Sequence, residues 1–242
     1  MREIPGRRRK FSLLRPSGSP TAALRAALVC ATEWQWPVLP GVGLQPAGED
    51  PGGGRGGPDA GDAEARPREC GCPHPDCVVP GAHPFDPGLL AATTDARMVR
   101  WWWTNRPTAP IILATGGRAP CAVSLPAVAA GRALAVLDHA GVRLGPVVAT
   151  PTRWSFLVAP YGLEELGELL HRQDWVPSSL RFHGEGGYVV LPPSRTGAGR
   201  VRWERPPLRR ARAQWLPRVE TVVDALVEAS AGAPGGGSKL AY

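Results

Sequence analysis

Lysine is almost missing from this chain: only two of its 28 basic residues are lysine, and the rest are arginine. Such a bias reads first as compositional, so charge alone is weak evidence for a ligand. No apolar run approaches the ~18 residues of a membrane span, which argues against a transmembrane helix. The basic start, "MREIPGRRRKFSLLRPSGSP", leads into no apolar stretch with a cleavage site. No signal peptide is therefore expected, and the expected location is cytoplasmic. Cysteine is scarce, and its count of five is odd, which fits no disulfide framework. Residues 45–69 lack any large apolar side chain and cannot bury a core, so they are expected to be a disordered insert.

The 242 residues that are present suffice for one generous domain or two small ones. Their net charge of +7 is uneven. Residues 1–15 carry +5 and residues 195–218 carry +7, which leaves about −5 for the remainder. Two basic ends flanking a mildly acidic body permit contact with a polyanion such as nucleic acid. Solvated, arginine-biased ends would look the same.

The pattern predicts a basic flexible arm over 1–18, then a helix opened by Ser19-Pro20 with Leu24, Ala27, Leu28 and Ala31 on one face. "WPVLPG" predicts a short strand. Thr94 suits a cap and Asp95 a first turn for a helix running through Trp101, Trp102 and Trp103. Adjacent residues on a helix point about 100° apart, so at least one of these tryptophans is expected to miss the core. "PIILAT", "CAVSL", "PVVATP" and "WSFLVAP" read as strands, and "PAVAAGRALAVLDHAG" as a helix with Pro126 in its first turn. "GLEELGELLHRQ" predicts an amphipathic helix with Leu163, Leu166 and Leu170 on its stripe. "GGYVVLPPS" reads as a strand that "RVRWE" would partner, and "PRVETVVDALVEAS" as a last helix. The basic segment and helix occupy 207–230, and 231–242 is expected to be a disordered tail. Strands and helices mix without regular alternation, which favours an α+β fold.

Three of the five cysteines fall in "CGCPHPDCVVPGAHP", residues 70–84. Cys70, Cys72, Cys77 and His83 supply three thiolates and one imidazole, the ligand set of a closed tetrahedral zinc site. Pro73, Pro75, Pro80 and Gly81 allow tight reversals, and a metal would supply the folding free energy that such a loop lacks. His74 is the rival fourth ligand. Four protein ligands leave no open position for a catalytic water, so a structural zinc is expected. Cys30 and Cys121 lie in apolar surroundings and are expected in the core.

The order of "WQWPVLPG", "CGCPHPDCVVPGAHP", "AATTDARMVRWWW", "PIILATGG" and "GEGGYVVLPPS" resembles the N-terminal domain of bifunctional DNA primase/polymerases, the prim-pol family. On that resemblance residues 19–206 form the prim-pol-like domain. The resemblance implies an archaeo-eukaryotic primase-type fold with an RRM-like sheet, flanking helices and an inserted zinc-knot loop. It implies nucleotidyl transfer by two Mg²⁺ or Mn²⁺ ions held by an acidic pair on one strand and a further acid on a later strand. A histidine in a Gly-Gly-x-His segment would contact the nucleotide phosphates.

This chain departs from that pattern in three places. "CAVSLPA" has Ser124 and Pro126 at the acidic positions, "TPTRWSFLV" has neither the glycines nor the histidine, and Ser179 stands where the later acid is expected. Hard divalent cations need carboxylate oxygens that neither serine nor proline offers. Asp138, beside His139, and Glu185 are the acids that would have to substitute. The expectation is therefore a catalytically degenerate domain with no catalytic residues. Arg181, His183, Arg195, Arg200, Arg202 and Trp203 are its candidate contacts to single-stranded DNA or a nucleotide. The alternatives are an active primase/polymerase, and a protein-interaction module using the Trp101–Trp103 face. Little sequence follows residue 230, so any helicase or replication protein it works with is expected to be a separate partner.

Overall fold

The computed structural model describes residues 21–46, 68–173, 175–208 and 213–231. The expected basic arm, most of the expected insert and the tail from residue 232 lie outside the described residues. The architecture is mixed α+β, with five α-helices and three antiparallel sheets among the described residues. No helix there is long and apolar enough to cross a membrane.

Helix α1 (Ala22–Leu28) is capped by Thr21, whose hydroxyl accepts from Leu24 N at 3.1 Å, and continues as a π-turn over Val29–Glu33. The cap is thus Thr21 rather than Ser19. Helix α2 (Ala96–Asn105) starts one residue later than expected. Asp95 is its cap, because a carboxylate oxygen accepting from Arg97 N at 2.6 Å satisfies a free backbone donor. On α2, Trp102 and Trp103 are buried while Trp101 is 62% exposed. No three-tryptophan outer face exists for a partner. These helices cover a small sheet of β1 (Val38–Pro40), β4 (Ile111–Ala114) and β9 (Tyr188–Leu191), in the order β1-β4-β9.

The expected insert is narrower than 45–69. Strands β2 (Leu44–Pro46) and β3 (Arg68–Cys70) pair across its base, Leu44 opposite Cys70 and Gln45 opposite Glu69. Backbone pairing orders these flanks where apolar burial does not.

The main sheet has six strands in the order β10-β11-β6-β7-β5-β8. Four adjacent strands at one end, β6-β7-β5-β8, come from one β-α-β-β-α-β run. This comprises β5 (Cys121–Pro126), α3 (Ala127–His139), β6 (Val147–Ala149), β7 (Arg153–Val158), α4 (Leu163–His171) and β8 (Arg181–His183). The hairpin of β10 (Ser194–Thr196) and β11 (Gly199–Arg205) extends the β6 edge. "RVRWE" therefore pairs with β10 and β6 and meets "GGYVVLPPS" only where Ser194 opposes Val201, while the strand Tyr188–Leu191 of that segment pairs with β4. Pro126 ends β5 and caps α3 instead of sitting inside the helix. On α4 the buried residue is Leu169, with Leu166 partly covered and Leu163 exposed, so the expected stripe is turned by one position.

Side chains alternate across a strand, which splits the main sheet into two faces with different tasks. Val123, Leu125, Phe156 and Val158 face α3 and α5 (Glu220–Ala231) in one core. Each fully buried aliphatic side chain there contributes roughly 1.5–3 kcal/mol. Ala122, Val148, Leu157 and Val201 face the other way, onto the α1/α2 module and its sheet. Cys30 and Cys121 are buried in these cores as expected. Further along this second face runs a row of opposed residues on five strands: Trp203, Val148, Ser155, Ser124 and Arg181.

Candidate functional site

Ser124, Pro126 and Ser179, separated by up to 55 residues, come together on that second face. What joins them is Arg153, paired with Pro126 where β7 runs beside β5. Its Nε donates to Ser124 Oγ at 3.0 Å and its Nη2 to the Ser124 carbonyl at 2.9 Å. Nη2 also donates to the carbonyl oxygen of Ser179. His183 Nε2 lies 2.9 Å from Ser124 Oγ. Ser124 Oγ thus stands between the Arg153 guanidinium, from which it accepts, and the His183 ring, with which it shares a hydrogen bond whose donor is set by the ring tautomer. Burial, reinforced by Arg153 and Arg181, lowers the His183 pKa from 6.5 to about 4. Burial and then the Arg181 charge lower that of Arg153 to about 10.

The acids that might have replaced the missing pair are placed elsewhere. Asp138 lies on α3, on the opposite side of the sheet, and is bound to Arg205 at 2.5 Å. Glu185 sits in the turn after β8 with its backbone against Gly116. A Cβ at Gly116 would come within 2.4 Å of Glu185 Cα, and φ there is +95°, so glycine is required. One carboxylate at that turn does not make a two-ion site.

The Cys/His loop is assembled differently. The ligand atoms of Cys70, Cys72, Cys77 and His83 all lie within 4.8 Å of one another, and this cluster could hold a metal ion. His83 Nε2 is 3.3 Å from Cys70 Sγ and 3.4 Å from Cys77 Sγ. A tetrahedral ion at ~2.3 Å from sulfur and ~2.0 Å from nitrogen has S···N edges of about 3.5 Å. His83 Nδ1 faces the Pro84 carbonyl at 2.9 Å, an orientation that leaves Nε2 for the metal. His74 does not belong to the cluster. Among the described residues it is the one group of three or more such side chains. Gly81, at φ +69°, packs so tightly on Leu44 that a side chain would collide with it. The loop is tied to its neighbours by Val42 N to His83 O at 3.0 Å and by Gly197 N to Pro80 O at 2.7 Å.

Of the six candidate ligand contacts, the structure groups some and separates others. Arg181 and His183 stand on β8 beside Ser124. Arg200, Arg202 and Trp203 are on β11, four inter-strand steps or about 19 Å from β8, and Arg195 is one strand further, on β10. Trp203 packs edge-on to Trp34 at 6.4 Å, against the first core, and Arg202 pairs with Glu204 at 2.7 Å. Arg195 and Arg200 instead line a groove of about 1120 Å³ together with Arg68, Phe85, Asp86 and Arg106. Phe85 is 52% exposed there, and the one acid of this set is ion-paired to Arg106 at 3.5 Å. Sequence reading missed Arg153, Arg68, Arg106 and Phe85. Arg153 alternates with Ser155 along a strand, but only the register reveals that both share a face with Ser124.

The model of the bifunctional DNA primase/polymerase N-terminal domain family (Prim-Pol) matches residues 27–219. The chain belongs to this family. No curated protein and no solved structure matches it. The matched span of the Prim-Pol domain includes the Cys/His cluster, the whole six-stranded sheet and the Arg153 site.

Proposed function

We propose that this chain is a prim-pol domain that binds nucleic acid and has lost nucleotidyl transfer. One observation carries the reading: of the three positions where the family resemblance calls for carboxylates, Ser124 and Ser179 accept from the Arg153 guanidinium and Pro126 is the ladder partner of Arg153. Mg²⁺ and Mn²⁺ require hard, anionic oxygen ligands. Neutral hydroxyls and main-chain carbonyls already engaged by Arg153 do not fit them, so no metal-assisted step is assigned to this face.

A primase-type fold is supported by the strand order β6-β7-β5-β8 from a β-α-β-β-α-β run, the arrangement of RRM-like sheets. In it Ser124 and Arg153 occupy the two central strands. A structural zinc at Cys70, Cys72, Cys77 and His83 is supported by the S₃N donor set and the spacing above. Its role would be to hold the loop that flanks the β10–β11 hairpin.

Nucleic-acid contact is assigned to the groove of Arg68, Arg106, Arg195 and Arg200. A cationic groove with an exposed aromatic suits a single strand, whose backbone follows the charge while a base stacks on Phe85. Arg195 and Arg200 are directly opposite each other in the hairpin, and among the described residues no carboxylate pairs with either. Opposed like charges are destabilising, and a bound phosphate backbone would relieve them.

Template-directed dNTP incorporation with Mn²⁺ tests the loss of transfer. No extension is expected. Robust extension, abolished by Glu185→Ala or Asp138→Ala, would establish the active alternative instead. Single-stranded DNA binding measured across salt concentrations tests the groove, because phosphate contacts predict an affinity that falls steeply with salt.

A further inference from the structure

Two guanidinium groups stand at the second face of the main sheet without an anion. Arg153 directs Nε and Nη2 at three neutral oxygens and keeps Nη1 unused by any of these bonds. Arg181 is exposed on β8, directly opposite Ser124 and on the same face. Among the described residues neither arginine has a carboxylate within ion-pair distance. Ser155, opposite Ser124 on β7, adds a hydroxyl to the same row. Pro126, paired with Arg153, contributes no charge and no N–H.

Holding a half-buried guanidinium beside a second one is unfavourable unless something negative completes the set. Burial first, and the neighbouring arginine charge second, depress the pKa values of Arg153 and His183. In a two-ion transferase the metals need carboxylates to hold them before they can draw in phosphate. Here the protein carries the cation covalently: Nη1 of Arg153 and the guanidinium of the exposed Arg181 are left to meet phosphate oxygens.

We propose that Arg153, Arg181 and Ser155, backed by the buried Ser124, form a metal-free binding site for a terminal phosphate group. Arg153 supplies the positive charge that carboxylate-held ions supply in a nucleotidyl transferase. The ligand chemistry is a phosphate monoester or polyphosphate tail, as on a free nucleotide or on the 5′ end of a nucleic-acid strand. This deepens the reading of a domain that has lost transfer, and it rests on that reading. Free divalent ions should weaken binding, because they neutralise the phosphate oxygens that the two arginines recognise.

Calorimetric titration of the full chain with dATP, inorganic tripolyphosphate and a short 5′-phosphorylated oligonucleotide, each in EDTA and in Mg²⁺, tests this. Saturable binding in EDTA, equal to or tighter than in Mg²⁺, is expected for at least one probe, and the probe that binds identifies the source. Arg181→Gln, at an exposed position, should weaken it at least about tenfold, the scale of a lost charged hydrogen bond. Arg153→Lys keeps the charge without the fork and should weaken it while leaving the circular-dichroism spectrum unchanged. Binding that requires Mg²⁺ or Mn²⁺, binding unaffected by Arg181→Gln, or no binding of any probe overturns the proposal. Primer extension would overturn the loss of transfer itself, so the two failures are read in separate assays.

Discussion

The Cys/His loop and the Arg153 face handle positive charge in opposite ways. The loop gathers three thiols and an imidazole, an arrangement that could hold a cation brought from outside. The sheet face lacks anionic ligands and carries its cation as a side chain. Both lie within one family match, and on the function proposed above the fold is kept while its chemistry is changed. Fold and reaction depend on different residues, and each can be lost alone.

The largest effect that would break this contrast is metal removal from the loop. Purified protein is expected to contain one zinc per chain by elemental analysis, and Cys77→Ser to lose it. Chelation should destabilise the folded state by several kcal/mol, in line with the folding free energy structural zinc supplies. Because Gly197 is tied to Pro80, hydrogen exchange in the β10–β11 turn should rise together with exchange in the loop. The same chelator should raise exchange in β5, β7 and β8 less than in the loop and that turn. Equal effects at both sites would erase the distinction.

A mid-sized effect comes from pH at the sheet face. His183 is faced by Ser124 from β5, Arg153 from β7, Arg181 on its own strand and the main chain of Tyr188, with Glu185 two residues on. Its pKa is about 4 in the fold against 6.5 for an ordinary histidine, so the unfolded chain binds the extra proton first. Its neutral form therefore favours folding fully above pH 6.5. That contribution falls away as pH drops towards about 4, with a total loss of about 3 kcal/mol. Denaturant titrations at several pH values should show this decline, and His183→Gln should flatten it. A stability curve that rises on acidification through that window would contradict the proposed neutral His183.

Sequence reading was unequal to the two sites for a physical reason. The loop ligands lie within 14 residues and carry their own chemistry, so spacing alone brought Cys70, Cys72, Cys77 and His83 together. Most strands and helices were visible too, because apolar periodicity is a local property. Pairing was not: "RVRWE" looked like the partner of "GGYVVLPPS", and only the ladder shows it beside β6. Ser124, Pro126 and Ser179 were flagged through family resemblance, but nothing local said that Arg153 would reach all three. The Thr21 and Asp95 caps were each misplaced by one or two residues, since Ser, Thr and Asp offer equivalent oxygens there.

The smallest expected effect separates binding from stability at the other edge of the main sheet. Arg195 and Arg200 oppose each other across β10 and β11, and the groove they line is assigned to a nucleic-acid strand rather than to the Arg153 face. Arg195→Gln removes one of two like charges, so the free protein should gain stability, by roughly 0.2–1 kcal/mol. The same variant should bind single-stranded DNA less tightly, with the salt slope reduced by about 1. Phosphate-probe binding at Arg153, three inter-strand steps or about 14 Å away, should not change. Opposite signs for stability and DNA affinity are what a functional arginine pair predicts. Two ordinary surface arginines would give the stability gain alone, and the groove assignment would then fail while the Arg153 site stood.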